Sequence, residues 1–409
     1  GDPVPLDQLS DLLRGVGAFD GELLRKFGCA PGVTGPELHR LRRDLPAARS
    51  ELLSDAQDAF VCMFCVGAGV RRAVAEALLG HEAAAALRAL GLLVEVLDGR
   101  YCVGALQLFP FNGLLVATDW PSETLGPAGD PVMAIGTDSM ELCLCMGDGK
   151  GGSSCVVGAA VLDLCTGSGI AALYAAFCGA KRVVAVDVSP RACMLARANA
   201  ALNGLDVAVR CGDLYEALPS EGSSFDLVLA NPPFVAAPVG PTRTPTLFVD
   251  GGADGLAVTK RILSGVAGHL VPGGGCVIEG EFPNIGDVDR SAPRPEWLCG
   301  LREGAAVTCV FAPAHVQSAE DYAADRARPP LSPEDWSSSL SEHGVSDMTS
   351  GLVIARFVPD QHDDRPWPRQ IVTWEARDAD ESWIEEGQRD RGRTVVREAL
   401  AAALGVQFV

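Results

Sequence analysis

Four consecutive residues, Asn231, Pro232, Pro233 and Phe234, combine the groups needed to hold a planar nitrogen function. The amide oxygen of Asn231 and the carbonyl of Pro232 can accept hydrogen bonds from an NH₂ group and so aim its lone pair, while the Phe234 ring can stack on the plane. The two prolines fix the shape of the loop. Upstream, Val161, Leu162, Asp163 and Leu164 end an apolar run that leads into Cys165, Thr166, Gly167, Ser168, Gly169 and Ile170. Glycines at a strand-to-helix turn let the backbone approach a ligand, and the following helix offers unpaired N–H groups. A second apolar run ends in Val186, Asp187 and Val188, placing an acid where it can accept from ribose hydroxyls. This spacing points to an adenosine-containing cofactor.

The glycines alone do not decide which one. A dinucleotide turn uses Gly-x-Gly-x-x-Gly or its Ala variant, and Ala172 satisfies the looser form. The string Asp163-x-x-Thr166-Gly167-Ser168-Gly169, however, resembles the first motif of class I S-adenosylmethionine-dependent methyltransferases. That resemblance implies S-adenosyl-L-methionine as cofactor, with Asp163, Cys165, Thr166, Gly167 and Gly169 at the turn and the methionine end. It places Asp187 and Val188 at the ribose, and Gly212, Asp213 and Leu214 at the adenine, where the acid accepts from the exocyclic amine. Asn-Pro-Pro-aromatic at the end of a fourth strand resembles the catalytic loop of methyltransferases acting on nitrogen in a planar group. Asn231, Pro232 and Phe234 are then the catalytic residues, with Asn231 also at the cofactor.

The likeness narrows further. Gly251, Gly252, Ala253, Asp254, Gly255 and Leu256, then Arg261, Ile262 and Leu263, and later Pro272, Gly273, Gly274, Ile278 and Glu279, resemble the stretch after the catalytic loop in release-factor glutamine methyltransferases. The motif similarity runs from Val161 to Glu279. A weaker one extends to bacterial methyltransferases with a helical and hairpin region in front of the same domain. Phe234 stands where the glutamine enzymes usually carry Tyr, and the front region and long C-terminal extension differ from theirs.

Methyl transfer from a sulfonium is an in-line displacement, in which orientation alone supplies roughly 7 to 11 kcal/mol. Each feature also has a plainer reading: Asn-Pro-Pro as a turn, Asp187 as a strand-end cap, Gly-Ser-Gly as a loop. Their order on successive strands favours the site. Two other functions remain as alternatives: a nicotinamide-dependent oxidoreductase, which leaves the Asn231 loop unexplained, and a non-catalytic cofactor-binding module. The acceptor is expected to be a planar amide or amine in a protein or a small molecule, with O- or S-methylation of a small molecule still open. No general base is evident, since none of the six histidines lies in a motif.

The elements that must carry these residues alternate. Cys155 to Leu164, Arg182 to Val188, Phe225 to Ala230, Gly275 to Glu279, Ala305 to Phe311 and Leu352 to Phe357 read as strands, with a shorter apolar run at Val207 to Val209. Helical stretches fall near Ile170 to Cys178, Pro190 to Leu202 and Leu256 to Leu270. This is the α/β pattern of a doubly wound, mainly parallel, Rossmann-like sheet. From Leu6 to about Leu90 the spacing is helical, and Leu92 to Val103 turns at Asp98 and Gly99 as a hairpin, so the front region is a helical cap or winged-helix-like domain. The expected domains are 1–118 for substrate recognition, 119–360 for the methyltransferase, with a flexible Gly/Ser-rich insertion at 147–154, and 361–409 as a charged extension ending in a helix at 393–404. Just ahead of the first strand, Thr137 and Ser139 are candidates for closing over the cofactor or for capping a helix.

Composition limits the partners. The 409 residues are 48% hydrophobic and 21% charged, which excludes a mainly disordered chain. Thirty-three Lys and Arg against 53 Asp and Glu give a net charge of −20 and a pI near 4.7. That argues against a nucleic-acid partner, which needs clustered cations. Fourteen cysteines, many inside apolar runs, read as free thiols in a reducing compartment. Cys62 and Cys65 have zinc-ligand spacing but no second pair follows, so no metal is expected. With no apolar run of membrane-spanning length and no signal-peptide pattern, the protein is expected to be cytoplasmic, and its oligomeric state is not legible.

Overall fold

The computed structural model describes residues 34–40, 53, 55–121, 130–149, 153–220, 223–238, 246–284, 296–298, 305–327, 330–357 and 369–373. The tail helix expected at 393–404 and the helical spacing before residue 34 lie outside them. The chain divides into two compact units.

The first unit comprises residues 1–137, 167–174 and 189–207. Its front part holds α1 (Gly35–Arg40), α2 (Ala56–Phe60) running into a π-helical turn (Val61–Val66), β1 (Val70–Arg71), α3 (Arg72–Leu79), α4 (His81–Ala89), β2 (Leu93–Val96) and β3 (Tyr101–Gly104). The strands form an antiparallel sheet in the order β1-β3-β2. The expected hairpin is present, its turn carrying positive φ at Leu97, Asp98 and Gly99. Among the described residues, this part of the chain is short helices together with a three-stranded antiparallel sheet. Cys62 and Cys65 are buried in the π-helical turn, and burial, with a smaller push from Asp58, raises the Cys62 thiol to about 12. It behaves as an apolar core residue.

A second hairpin, β4 (Gln107–Phe111) and β5 (Leu114–Thr118), is fastened to helix α7 (Pro190–Asn203) by side-chain amides. Asn199 accepts from the Ala117 N–H at 2.8 Å and donates to the Ala117 carbonyl at 2.9 Å; Asn203 repeats this with Leu115. Two asparagines one helical turn apart thus satisfy a strand edge that would otherwise need another strand.

The second unit contains α5 (Thr137–Leu144, from Asp138 onward) and an eight-stranded sheet in the order β13-β11-β12-β10-β9-β6-β7-β8. Its strands are β6 (Ala160–Leu164), β7 (Arg182–Asp187), β8 (Ala208–Cys211), β9 (Phe225–Ala230), β10 (Leu270–Pro283), β11 (Ala305–Ser318), β12 (Asp347–Phe357) and β13 (Arg369–Thr373). β6 to β10 are parallel, and β12 runs antiparallel between β10 and β11. Every residue of β6 is buried, and β7 and β9 are nearly so, as expected of strands covered on both faces. Helices α6 (Ile170–Phe177), α7 and α8 (Ala257–Val266) follow β6, β7 and β9 in the chain; α9 (Ala319–Arg326) and α10 (Pro333–Glu342) follow β11. The fold is the doubly wound, mainly parallel α/β class.

Several strands differ from the sequence reading. β6 begins at Ala160, since Cys155 to Gly158 form turns. β10 and β12 extend past the expected spans, over Gly280–Pro283 and Asp347–Gly351, much of which pairs strand to strand, and β10 also begins earlier, at Leu270. β13, in the charged extension, joins the sheet edge parallel to β11. In the Gly/Ser-rich segment, the described ends are tied by a bridge between Gly147 and Ser154. Among the described residues, no helix is long and apolar enough to cross a membrane.

Candidate active site

Parallel register brings the predicted residues to one edge of the sheet. Leu164 pairs with both Val186 and Ala230, and Asp187 pairs with Cys211. Cys165, Asp187 with Val188, Gly212 with Asp213 and Leu214, and Asn231 therefore all lie at the carboxyl ends of β6, β7, β8 and β9. The chain order reverses direction between β6 and β9 here, which is where open α/β sheets bind ligands.

At the end of β6, Asp163 is buried and accepts from the Thr166 hydroxyl at 2.5 Å. The Thr166 N–H donates to the Val186 carbonyl. Cys165 adopts a left-handed conformation with φ of 58°, and burial, aided by Asp187, Asp163 and Asp213, pushes its thiol far up, so it is not a thiolate. Asp187 is half-buried, Val188 beyond it is exposed, and the Asp187 carbonyl receives the Gly212 N–H. A side chain at Gly212 would meet Ala217 at 2.9 Å. Leu214, at φ of 46°, turns inward and is buried, while Asp213 is half-exposed and paired with Arg261 of α8 at 2.8 Å.

The glycine turn belongs to the first unit. Gly167 has φ of +56°, and no atom lies within 4 Å of where its Cβ would stand. Its backbone borders open space, as a ligand cradle requires. Gly169 has φ of +88° and would place a Cβ 3.0 Å from that of Ala196 on α7.

The loop after β9 is held from three sides. Asn231 donates through Nδ2 to Asp138 Oδ2 of α5 at 2.7 Å, with a longer contact to the Ser139 hydroxyl at 3.4 Å. Because the NH₂ end is committed to a carboxylate, the amide is fixed in one orientation and Oδ1 is the end left to accept from a ligand. Pro232 is buried and Phe234 half-buried against Val235, Ala236 and Tyr322. The Phe234 ring lies over Gly280 of β10. The Gly251–Gly255 segment clasps the loop through Val235 N–H to the Val249 carbonyl, Gly251 N–H to the Val235 carbonyl and Ala237 N–H to the Gly252 carbonyl. Gly255 has φ of +77°, and any side chain there would sit 2.5 Å from the Phe234 carbonyl oxygen. That close approach is the reason for glycine at this place.

Acids crowd this end of the sheet, and the sequence reading did not assign them. Glu141 is solvent-accessible yet surrounded by protein, and lack of hydration, then the Asp138 charge, raises its carboxyl to about 7. Glu279 on β10 follows Ile278, the residue paired with Ala230, so it is the neighbour of Asn231 across two parallel strands. It is 3% exposed, its Oε2 has no partner among the described residues, and burial followed by Glu141, Asp138 and Glu281 raises its pKa well above the usual range. Burial therefore favours its neutral form. Glu281, also buried, is satisfied by the Tyr322 hydroxyl at 2.7 Å and by Arg326, both on α9; burial still raises its pKa. Among the described residues no group of three or more His, Cys, Asp or Glu side chains is arranged to hold a metal.

A parallel sheet with a cradle of this kind after its first strand, an acid ending its second and a clasped Asn-Pro-Pro-Phe loop ending its fourth defines a class. Residues 161–242 match the methyltransferase domain family, and the chain carries a class I methyltransferase domain of the type that uses S-adenosylmethionine. More particularly, it is similar to the ribosomal protein uL3 glutamine methyltransferase of Bradyrhizobium diazoefficiens, 41% identical over 145 residues, covering 32% of this chain and 45% of the relative. It is 40% identical over 126 residues to the release factor glutamine methyltransferase of Bordetella pertussis, covering 29% and 46%. It is 48% identical over 107 residues to the ribosomal protein L11 methyltransferase of Pelobacter propionicus, covering 25% and 34%. The chain thus spans less than half the length of each of these three curated relatives. None of the three supports the nicotinamide-dependent alternative.

Proposed function

We propose that the protein is an S-adenosylmethionine-dependent methyltransferase that methylates the nitrogen of a planar amide, with a glutamine side chain in a protein as the preferred acceptor. The observation that carries this reading is the Asp138–Asn231 hydrogen bond, which commits the amide nitrogen and leaves the Asn231 oxygen as the end that accepts from a target. The relatives are named for methylating glutamine in a ribosomal protein and in a release factor, which supports a protein glutamine.

The chain's own residues divide the work. Asp163, Cys165, Thr166, Gly167 and Gly169 hold the methionine end of the cofactor, Asp187 and Val188 its ribose, and Gly212, Asp213 and Leu214 its adenine. When bound, the cofactor supplies an activated methyl group on sulfur. Asn231 Oδ1 and the Pro232 carbonyl accept from the target NH₂ and aim its lone pair, and Phe234 stacks on the amide plane. Asp138 acts as a positioning residue that keeps Asn231 from flipping.

The test is incubation of the protein with labelled cofactor and cell extract, fractionated into protein, RNA and small molecules, with the modified residue located by mass spectrometry. Label on a protein glutamine is the expected result, and label confined to RNA, or on oxygen or sulfur, would overturn the reading. Calorimetry separates the rivals: binding of S-adenosylhomocysteine and none of NAD is expected.

A further inference from the structure

We propose that Tyr322 is a positioning residue for the acceptor: its hydroxyl receives the Ala236 N–H and, held by Glu281, sets the loop that carries Asn231 and Phe234. The inference deepens the reading of that loop as the acceptor site and rests on it. The clasp by the glycine segment leaves one backbone donor of the loop to be met. Val235 and Ala237 give their N–H groups to the Val249 and Gly252 carbonyls, whereas the Ala236 N–H between them donates to Tyr322 Oη at 3.1 Å. Ala236 is fully buried, so this donor has no water to fall back on.

The direction of that bond is fixed from behind. The Tyr322 O–H donates to Glu281 Oε2 at 2.7 Å, which commits its proton and leaves its lone pairs to the Ala236 N–H. Arg326, one turn after Tyr322 on α9, donates to the other oxygen of Glu281, and its guanidinium stands 5.3 Å from the Tyr322 ring centre. Hydrogen bonds in such a chain polarise one another, so a carboxyl paired with a guanidinium strengthens the phenol as an acceptor. Glu281 stands where β10 runs past its last pairing with β9, Ile278 with Ala230, so the anchor is on the strand next to the one that ends before Asn231. The ring has a second task. Tyr322 is fully buried in a cluster with Val235, Ala236, Trp336 and Leu340, against which Phe234 packs. Phe234 has no polar group of its own, so the plane it offers to an acceptor is set by what its ring and its chain neighbours rest on. Ala236 is five positions after Asn231, and the two prolines stiffen the start of that stretch, so a displacement at Ala236 is passed to both acceptor-facing groups. Tyr322 is enclosed with its hydroxyl bonded on both sides, and therefore acts through the loop.

The experiment compares wild type, Tyr322→Phe and Glu281→Gln on the acceptor identified above. Tyr322→Phe keeps the ring and removes only the hydroxyl. It is expected to lose about 10-fold in kcat while S-adenosylhomocysteine affinity stays within about twofold of wild type, the calorimetric stoichiometry counting the folded sites. Hydrogen exchange, read by mass spectrometry with no acceptor present, should speed up in the peptide holding Ala236 and stay at the wild-type rate in the peptide holding Asp163 to Gly169. Glu281→Gln keeps an oxygen for the Tyr322 proton and should lose less kcat, and adding it to Tyr322→Phe should cost little more, since it acts through the same hydroxyl. An unchanged kcat per folded site in Tyr322→Phe, or a fall in cofactor affinity as large as that in kcat, overturns the proposal. If Tyr322→Phe does not fold, an unchanged kcat and loop exchange in Glu281→Gln overturns it. Unchanged exchange at Ala236 in Tyr322→Phe overturns it whichever atom is methylated, whereas methylation on oxygen or sulfur with raised exchange overturns the N-methylation reading instead.

Discussion

The two ends of the carboxyl edge of the sheet are both acidic, and they treat their acids differently. On the side assigned to the cofactor, Asp163 has a hydroxyl donor within its own turn and Asp213 is half-exposed beside Arg261. On the acceptor side, Glu279 is buried without a partner for Oε2, Glu141 is raised to about 7, and Asp138 is tied to Asn231. On the proposed reading, the first group binds the cofactor through carboxyls that already have donors, whereas the second orients the acceptor among acids whose charged forms are disfavoured by burial. Strain of this kind is a mark of a reacting centre.

The largest effect is expected where the acceptor side touches the target. Asn231→Ala removes the aimed oxygen and should lower kcat by about 10²-fold or more while leaving S-adenosylhomocysteine affinity within about threefold. Full activity in this variant would break the contrast at its centre and refute the role proposed for Asn231. Asp138→Ala should come next, at roughly 10-fold in kcat with little change in KM, because loss of a charged hydrogen bond of about 1.5 to 3 kcal/mol lets the amide flip rather than disappear. Asp138→Asn should recover part of that loss by still accepting from Nδ2.

How much of this contrast was legible beforehand follows from chain separation. The cofactor side is read within short strings, Asp163 to Gly169, Asp187 to Val188 and Gly212 to Leu214, because each is one strand-to-helix turn whose conformation its own residues dictate. The acceptor side is assembled over distance: Asp138 and Asn231 are 93 residues apart, and Glu279 reaches Asn231 only through the register of β10 on β9. Asp138 in the sequence is indistinguishable from a residue opening a helix, and Glu279 from the polar end of a strand. The Asn199 and Asn203 clamp on β5 was hidden for the same reason, since asparagine inside a helix reads as a weak helix former until its strand partner is known. β13 was hidden by its surroundings, as five residues in a charged extension give too short a pattern.

A smaller and cleaner measure of the strain is thermal. Glu279 has its folded-state pKa raised well above 4.5, so the folded protein holds that proton more tightly than the unfolded chain. Its contribution therefore becomes unfavourable as pH rises from about 4.5 toward the folded value, and is absent below. Glu279→Gln keeps the shape without the ionisation, so it should melt above wild type near pH 8, by the equivalent of about 1 to 3 kcal/mol, and converge with it near pH 4. Melting curves at the two pH values check this, and a variant less stable near pH 8 would show that the acid is satisfied there.

The smallest effect should come from the opposite side. Arg261 and Asp213 are both about half-exposed, at 52% and 44% of their side-chain surface, so their pair is screened by solvent and held by flexible side chains. Removing Arg261 takes away an interaction of roughly 0 to 1 kcal/mol and leaves Asp213 facing solvent. Arg261→Ala should thus change S-adenosylhomocysteine affinity by less than about fivefold, with the difference shrinking in high salt. A loss as large as that of kcat in Asn231→Ala would mean that Arg261 does for Asp213 what Asp138 does for Asn231. The two ends of the edge would then be strung equally tightly, and the division between a cofactor side whose carboxyls already have donors and an acceptor side of buried acids would not hold.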